Sequence, residues 1–167
     1  MHQLAEDVWQ IPLMPRHGIN AYLLGDVVVD AGTKGHAEKV LSSVAGRGVT
    51  AHAATHAHPD HVGGSKQVVE SLGVPFWIGA DDAAAVEDGH SVAAQSRITG
   101  LVAKTGGFPA LGVDRRLQEG DEVGPGFVVL DAPGHSAGHV AFWRERDRVL
   151  IAGDVFFNMS LLTTRPG

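Results

Sequence analysis

The sequence predicts an α/β fold (α+β in some schemes) in which strands and helices form separate layers. Three observations predict it: short alternating or apolar segments typical of strands, two segments with helical spacing of apolar residues, and Gly and Pro between them. Of the 167 residues, 44% are hydrophobic and 19% are charged, as in an ordinary globular domain. This length is enough for one domain with a substantial core.

Taken in order, the segments alternate between the two types. Residues 8–12 alternate and predict a strand, and two apolar segments flank Gly25-Asp26, a two-residue hairpin signal. The remaining predictions are a helix over 35–45, a buried strand over 49–55, a helix over 64–72, a strand over 74–78, a helical segment over 80–86, an irregular segment up to 112, and strands over 127–130, 139–143 and 149–152.

Composition excludes several classes of protein. The net charge of −6 argues against a general binder of nucleic acid or anionic membranes, because lysine and arginine drive such binding. Cysteine is absent, so a metal must be held by His, Asp or Glu. Neither a signal-peptide pattern at the start nor an apolar run of membrane-spanning length is found, so we expect a cytoplasmic protein.

Four metal-capable side chains lie within six residues, at His56, His58, Asp60 and His61. In an extended segment, side chains two residues apart point the same way, so His56 and His58 can face one point. Pro59 keeps His58 extended, and the chain can then turn so that Asp60 and His61 project toward a neighbouring point. The spacing predicts a loop that serves two adjacent metals.

Two later segments bring further ligand types to strand ends. Gly134-His135-Ser136-Ala137-Gly138-His139 follows the strand predicted over 127–130, and Gly153-Asp154 follows the one that begins at 149. Sites in open α/β sheets are commonly built at such positions. His135 and Asp154 are therefore candidate ligands.

Together with Asp30-Ala31-Gly32, these segments resemble the metallo-β-lactamase-fold hydrolases, the superfamily that includes glyoxalase II and lactonases. The resemblance implies an αββα sandwich. It also implies that His56, His58 and His135 hold one metal, that Asp60 and His61 hold a second, and that Asp154 bridges the two. Asp30 would brace the metal loop, and His139 would support the site without being a ligand.

The resemblance also implies the chemistry. Two Zn²⁺ ions, or Fe or Mn, would hold a hydroxide that attacks an ester, thioester or lactone carbonyl of a small-molecule substrate, with Asp60 orienting the nucleophile. Two alternatives stay open: an iron-dependent oxidative relative similar to persulfide dioxygenases, and an inactive metal-binding or assembly module. Iron content would separate the first alternative from the hydrolase.

The chain departs from the family pattern after Asp154. The family supplies one more metal-ligating His from a later strand, and no His follows Asp154 here. We therefore expect residues 1–167 to be the N-terminal portion of a longer single domain, so that the sandwich is incomplete in this chain. A naturally short chain that forms a homodimer is the alternative, and either case predicts an exposed apolar sheet face.

Other polar residues receive no functional role from the sequence. His52 is predicted to be a surface or loop histidine, as are His2, His17, His36 and His90. The charged run from Arg144 to Arg148 is predicted to be a solvated hairpin turn.

Overall fold

A computed structural model describes residues 1–92 and 107–156 of the chain. In these ranges, two β-sheets pack face to face and helices cover the outer face of the larger sheet. This arrangement confirms the predicted layered α/β fold. Part of the segment predicted to be irregular, residues 93–106, and the tail from residue 157 lie outside the described residues.

The larger sheet has seven described strands in the same order in space as in sequence. The first four are paired antiparallel, and the last four are paired parallel. The strands are β1 His2–Ala5, β2 Val8–Pro12, β3 Asn20–Leu24, β4 Val27–Val29, β5 Ala51–Ala54, β6 Phe76–Gly79 and β7 Arg115–Leu117.

The central strands of this sheet are buried on both faces. Every residue of β4 and β5 is buried, which explains why apolar residues do not alternate with exposed polar ones in these segments. The one polar residue, His52 of β5, is itself buried. Gly25 has a φ of 60°, and Leu24 pairs with Val27, as the hairpin signal predicts. The sequence did not predict β1 or β7, because both are short edge strands whose residues are mostly polar or exposed.

The described helices are short and lie next to the larger sheet. Val40 and Val44 of one helix and Val68 of another pack with Leu23 and Val28 of the sheet. At the end of the latter helix, which was predicted over 64–72, Gly73 adopts a φ of 66° and its N–H bonds to the carbonyl of Val69. The helices are α1 Ala37–Val44, α2 Pro59–Val62, α3 Ser65–Leu72 and α4 Ala83–Asp88.

The smaller sheet is antiparallel and packs on the other face of the larger one. Phe127, Val129 and Phe142 from this sheet meet Val29 and Ala53 in a shared core. The strand pair nearest the end of the chain matches the predicted strands within two residues. The described strands are β8 Glu122–Val123, β9 Phe127–Asp131, β10 Val140–Arg144 and β11 Val149–Ile151, in the order β11-β10-β9-β8.

The prediction of a solvated turn over residues 144–148 was wrong for Arg144. Its side chain is 1% exposed and forms a bidentate ion pair with Asp147, with nitrogen–oxygen distances of 2.9 and 2.6 Å. The guanidinium also donates to the carbonyl of Glu6 at 2.6 Å and lies over the Phe127 ring. Arg144 therefore fastens the β1–β2 turn to the smaller sheet.

The outer face of the smaller sheet carries apolar side chains with partial exposure. Trp143 is a cross-strand neighbour of Val128 and Leu150, and Leu150 is 42% exposed. Within the described ranges, none of the helices has the length and apolar character needed to cross a membrane.

Candidate metal centre

The parallel strands of the larger sheet end at one edge, and residues that follow β4 and β5 contribute to the site. Asp30 follows β4, and the loop from Thr55 to His61 follows β5. The smaller sheet delivers His135 from the β9–β10 loop and Asp154 from the turn after β11. The site therefore lies where the edges of the two sheets meet.

Five of the six predicted ligands come together in two overlapping groups. One group is His56, His58 and His135, and the other is His56, His61 and Asp154. Within each group, one potential ligand atom from every residue lies within 4.8 Å of the others. Nδ1 of His58 and Nε2 of His135 are 2.8 Å apart, although they come from different sheets.

Asp154 lies between the two groups. One carboxylate oxygen, Oδ1, is 3.2 Å from Nε2 of His61, and the other, Oδ2, is 3.3 Å from Nε2 of His135. Each carboxylate oxygen thus faces a different group of side chains.

Asp60 is at the rim of the site rather than within either group. Its side chain is 47% exposed, and its Oδ2 is 3.9 Å from Nε2 of His61. The structure thus separates the one acidic side chain of the His-rich loop from the buried imidazoles, and it leaves that carboxylate accessible to water.

Hydrogen bonds outside the cluster decide which nitrogen of each ring faces inward. His58 donates from Nε2 to the carbonyl of Val92 at 3.2 Å, so its Nδ1 lone pair faces His135. His61 donates from Nδ1 to Asp30 at 2.8 Å, which leaves Nε2 toward Asp154. Partners of this kind fix the tautomer of metal-binding histidines.

His56 provides the test of whether these residues fit a metal. Its Nδ1 lies 3.0 Å from the hydroxyl of Thr55, which itself donates to Asp30. Its Nε2 is buried and has no hydrogen-bond partner among the described residues. Because an unsatisfied buried polar atom is costly, and because neutral imidazole is a good ligand for Zn²⁺, a cation at this point fits the donor set.

Burial and mutual repulsion favour neutral imidazoles in most of the cluster. Burial lowers the pKa of His56 well below its ordinary value, and the neighbouring histidines lower it further. Burial and His135 likewise lower the pKa of His58. Burial lowers the pKa of His139 to about 4. Neutral rings offer lone pairs to a cation at neutral pH.

His61 differs from the other histidines because it lies between two carboxylates. Burial alone would lower its pKa, but Asp30 and Asp154 raise the pKa well above the ordinary value. Burial would also raise the pKa of Asp154, but the hydrogen bond and charge of His61 lower it. Without a cation this is an ion pair, and a proton must leave His61 before Nε2 can bind a metal.

Asp30 and His139 have the surroundings expected of supporting residues. Asp30 is 2% exposed and accepts hydrogen bonds from the backbone N–H of Thr55 at 2.8 Å and from its hydroxyl at 3.0 Å, besides the bond from His61. His139 is 1% exposed, and its Nε2 accepts from the backbone N–H of Asp154 at 3.0 Å. Each holds a neighbour of the cluster in place.

The prediction that His52 is a surface or loop residue was wrong. His52 is on β5 and is fully buried, with Nδ1 3.1 Å from the carbonyl of Val28 and Nε2 2.8 Å from the hydroxyl of Ser65. Burial lowers its pKa to about 4. This histidine links β4, β5 and α3 away from the metal ligands.

Sequence reasoning missed Asp82, which is fully buried beside the site. It comes just after the end of a parallel strand, β6, and strand ends are the positions at which His135 and Asp154 were predicted as ligands. That signal was available, but the segment was interpreted only as the start of a helix.

Comparison with known proteins gives a consistent result. A family model described as the metallo-beta-lactamase superfamily matches residues 14–166. An uncharacterized protein of Aquifex aeolicus is 34% identical over 138 residues, which cover 81% of this chain and 61% of that protein. A hydroxyacylglutathione hydrolase of Methylococcus capsulatus is 34% identical over 106 residues, which cover 62% of this chain and 32% of that protein.

Solved structures show the same fold at low identity. The class B3 di-zinc metallo-beta-lactamase LRA-12, from an Alaskan soil metagenome, has a TM-score of 0.71 and 21% identity, with 97% of this chain and 66% of that chain covered. A metallo-beta-lactamase of Cronobacter sakazakii has a TM-score of 0.69 and 20% identity, with 84% and 58% covered. The chain therefore spans about one third to two thirds of these proteins.

Proposed function

The chain belongs to the metallo-beta-lactamase superfamily, and on that premise we propose that it is a metal-dependent hydrolase of a thioester, or of a related ester or lactone. The observation that carries the proposal is the convergence of His56, His58 and His135 with His61 and Asp154 around the unpartnered Nε2 of His56. Relatives named hydroxyacylglutathione hydrolase, such as that of Bdellovibrio bacteriovorus at 30% identity, favour the thioester.

The proposed ligand roles follow the two groups of side chains. His56, His58 and His135 would hold one divalent cation, Zn²⁺ being the best match for imidazole and carboxylate ligands. His61 and Asp60 would hold the second, and Asp154 would face both. The cations would supply Lewis acidity and would lower the pKa of a coordinated water toward neutrality.

The protein's own residues would orient the reactants. Asp60 is the carboxylate open to solvent at the rim, so its Oδ2 can accept a hydrogen bond from the attacking water and fix the direction of its lone pair. Hydrogen bonds with Thr55 and Val92 would hold the neutral rings of His56 and His58 in fixed orientations. In the net reaction a C–O bond forms, the C–S bond breaks, and the proton from water passes to the leaving thiolate.

The test combines metal content with a substrate panel. We expect elemental analysis of the purified protein to find zinc, and we expect an S-acylated glutathione to be hydrolysed faster than a carboxylate ester or a lactone. Loss of that activity in Asp60→Asn, with zinc retained at the group formed by His56, His58 and His135, would support the proposed role of Asp60. Stoichiometric iron in place of zinc would favour the oxidative alternative. A protein that binds neither metal would contradict the proposal.

A further inference from the structure

The loop that carries His56 and His58 belongs to the larger sheet, and the loop that carries His135 belongs to the smaller sheet. The 2.8 Å separation of the His58 and His135 ring nitrogens therefore depends on how the two loops are held relative to one another. A backbone hydrogen bond from Val140 to the carbonyl of Thr55 links the loops at one point. A second link lies nearer the histidines.

Asp82 supplies that link. One of its oxygens, Oδ2, accepts from the backbone N–H of Ala57 at 2.9 Å and from the hydroxyl of Ser136 at 2.7 Å. The other, Oδ1, accepts from the backbone N–H of Gly138 at 2.8 Å. Ala57 lies between His56 and His58, and Ser136 follows His135.

The close approach of these segments depends on two glycines. A Cβ on Gly138 would overlap the backbone N of Asp82, and a Cβ on Gly79 would overlap the carbonyl oxygen of Gly138. The end of β6 and the His135 loop therefore touch backbone to backbone, which brings the Asp82 carboxylate within reach of donors on both loops.

We propose that Asp82 is a positioning residue that sets the spacing of His56 and His58 against His135, the inference resting on the proposed function of this site as a metal centre. Asp82 touches no reacting atom. It acts through its hydrogen bonds with Ala57, Ser136 and Gly138. Asp30 supports the other part of the His-rich loop, where it accepts hydrogen bonds from Thr55 and His61. Two buried carboxylates thus divide the support of the cluster between them.

The substitution Asp82→Asn tests the role with little change of shape. Both oxygens of Asp82 accept hydrogen bonds, so the amide NH₂ of Asn must face either the donors on Oδ2 or the Gly138 N–H. The hydrogen bonds on the side that faces the NH₂ group are then lost. Substitution of groups that orient metal ligands typically lowers metal affinity about 10- to 100-fold.

The experiment adds Zn²⁺ to the metal-free chain and measures affinity by competition with a chelating dye, together with amide hydrogen exchange at Ala57 and Gly138. For Asp82→Asn we expect affinity at the tighter site to fall about 10- to 100-fold, and we expect at least one of the two amides, the one that faces the new NH₂ group, to exchange faster. Asp81→Asn is the matched control, because Asp81 is the exposed neighbour with the same charge, and it should match the wild type.

Several outcomes would overturn the inference. If Asp82→Asn lowers the unfolding midpoint while its folded fraction binds Zn²⁺ with wild-type affinity, Asp82 has only a structural role. If Asp82→Asn does not fold, Ser136→Ala replaces it, since it removes one of the three donors; wild-type zinc affinity in that variant would also contradict the inference. A wild-type chain that binds no Zn²⁺ would overturn the proposed function, and the inference with it.

Discussion

At the scale of single residues, hydrogen-bond partners outside the cluster decide what each imidazole can do. The carbonyl of Val92 accepts a hydrogen bond from Nε2 of His58, and Asp30 accepts one from Nδ1 of His61. Different nitrogens of the two rings therefore face inward. The sequence predicted the histidines as ligands from their spacing. It did not predict which nitrogen each would use, because the partners are 31 or more residues away.

His58 is the proposed ligand whose removal tests the site most directly. We expect His58→Ala to abolish tight zinc binding, because Nδ1 of His58 is the group that faces His135 across the two sheets. The measurement is zinc per chain after gel filtration. His90→Ala, at an exposed histidine, is the control and should keep the wild-type zinc content. Stoichiometric zinc in His58→Ala would show that the ligand assignment is wrong.

His52 predicts a pH dependence of stability that does not involve the metal ligands. Its pKa is about 4 in the folded chain and about 6.5 when unfolded, so the unfolded state binds more protons between these values. The contribution of neutral His52 to the free energy of unfolding is therefore complete above about pH 6.5 and is lost as the pH falls toward 4. The total loss is about 3 kcal/mol.

The check is the free energy of unfolding by urea at several pH values. His52→Gln should be less stable at pH 7 but should lose less stability than the wild type on going from pH 6.5 to pH 4. Equal losses in the two proteins would show that His52 does not resist protonation in the folded state.

At the scale of elements, the ends of the parallel strands explain why the site is where it is. β4, β5 and β6 are followed in turn by Asp30, the His-rich loop and Asp82, all at one edge of the sheet. The first two were predicted, because each is next to a recognisable pattern in the sequence. Asp82 was not, since its function depends on Ser136 and Gly138, more than 50 residues later.

Gly79, at the end of β6, tests the close packing of this edge. A Cβ there would overlap the carbonyl oxygen of Gly138, so Gly79→Ala should push the His135 loop away from β6. Overpacking of this kind typically costs about 1–3 kcal/mol. We expect lower unfolding free energy together with weaker zinc binding.

Gly112→Ala is the matched control, because no atom lies within 4 Å of a Cβ at that exposed position. It should leave both the free energy of unfolding and the zinc affinity close to the wild-type values. A Gly79→Ala protein with wild-type stability and zinc affinity would mean that the two segments can separate without cost.

At the scale of the whole molecule, the site exists only because the two sheets pack together. His56, His58 and His61 come from the larger sheet, and His135 and Asp154 from the smaller one. The shared core, including Phe127, Phe142, Val29 and Ala53, holds the sheets together, and Arg144 fastens the smaller sheet to the β1–β2 turn. Weakening the core should therefore weaken the metal site.

The outer face of the smaller sheet predicts self-association of this chain. Trp143 and Leu150 are cross-strand neighbours there, and Leu150 is 42% exposed. Because exposed apolar faces tend to associate, we expect light scattering to detect species larger than a monomer at high concentration. Leu150→Lys should shift the distribution toward monomer.

Leu4→Lys is the control for this prediction, since Leu4 is 54% exposed on β1, a strand of the other sheet. It should leave the distribution unchanged. A wild-type chain that remains monomeric at high concentration would contradict the prediction.

The sequence by itself determined the layered fold, most of the strands and the candidate ligands, because periodicity, turn residues and the spacing of His56, His58 and His61 are local patterns. Only the tertiary structure decided that Asp60 lies at the rim, that His52 and Arg144 are buried, and that Asp82 joins the two ligand loops. Arg144 contacts Glu6 across 138 residues of sequence. Contacts at such separations depend on how the sheets pack, and they leave no periodic signal in the chain.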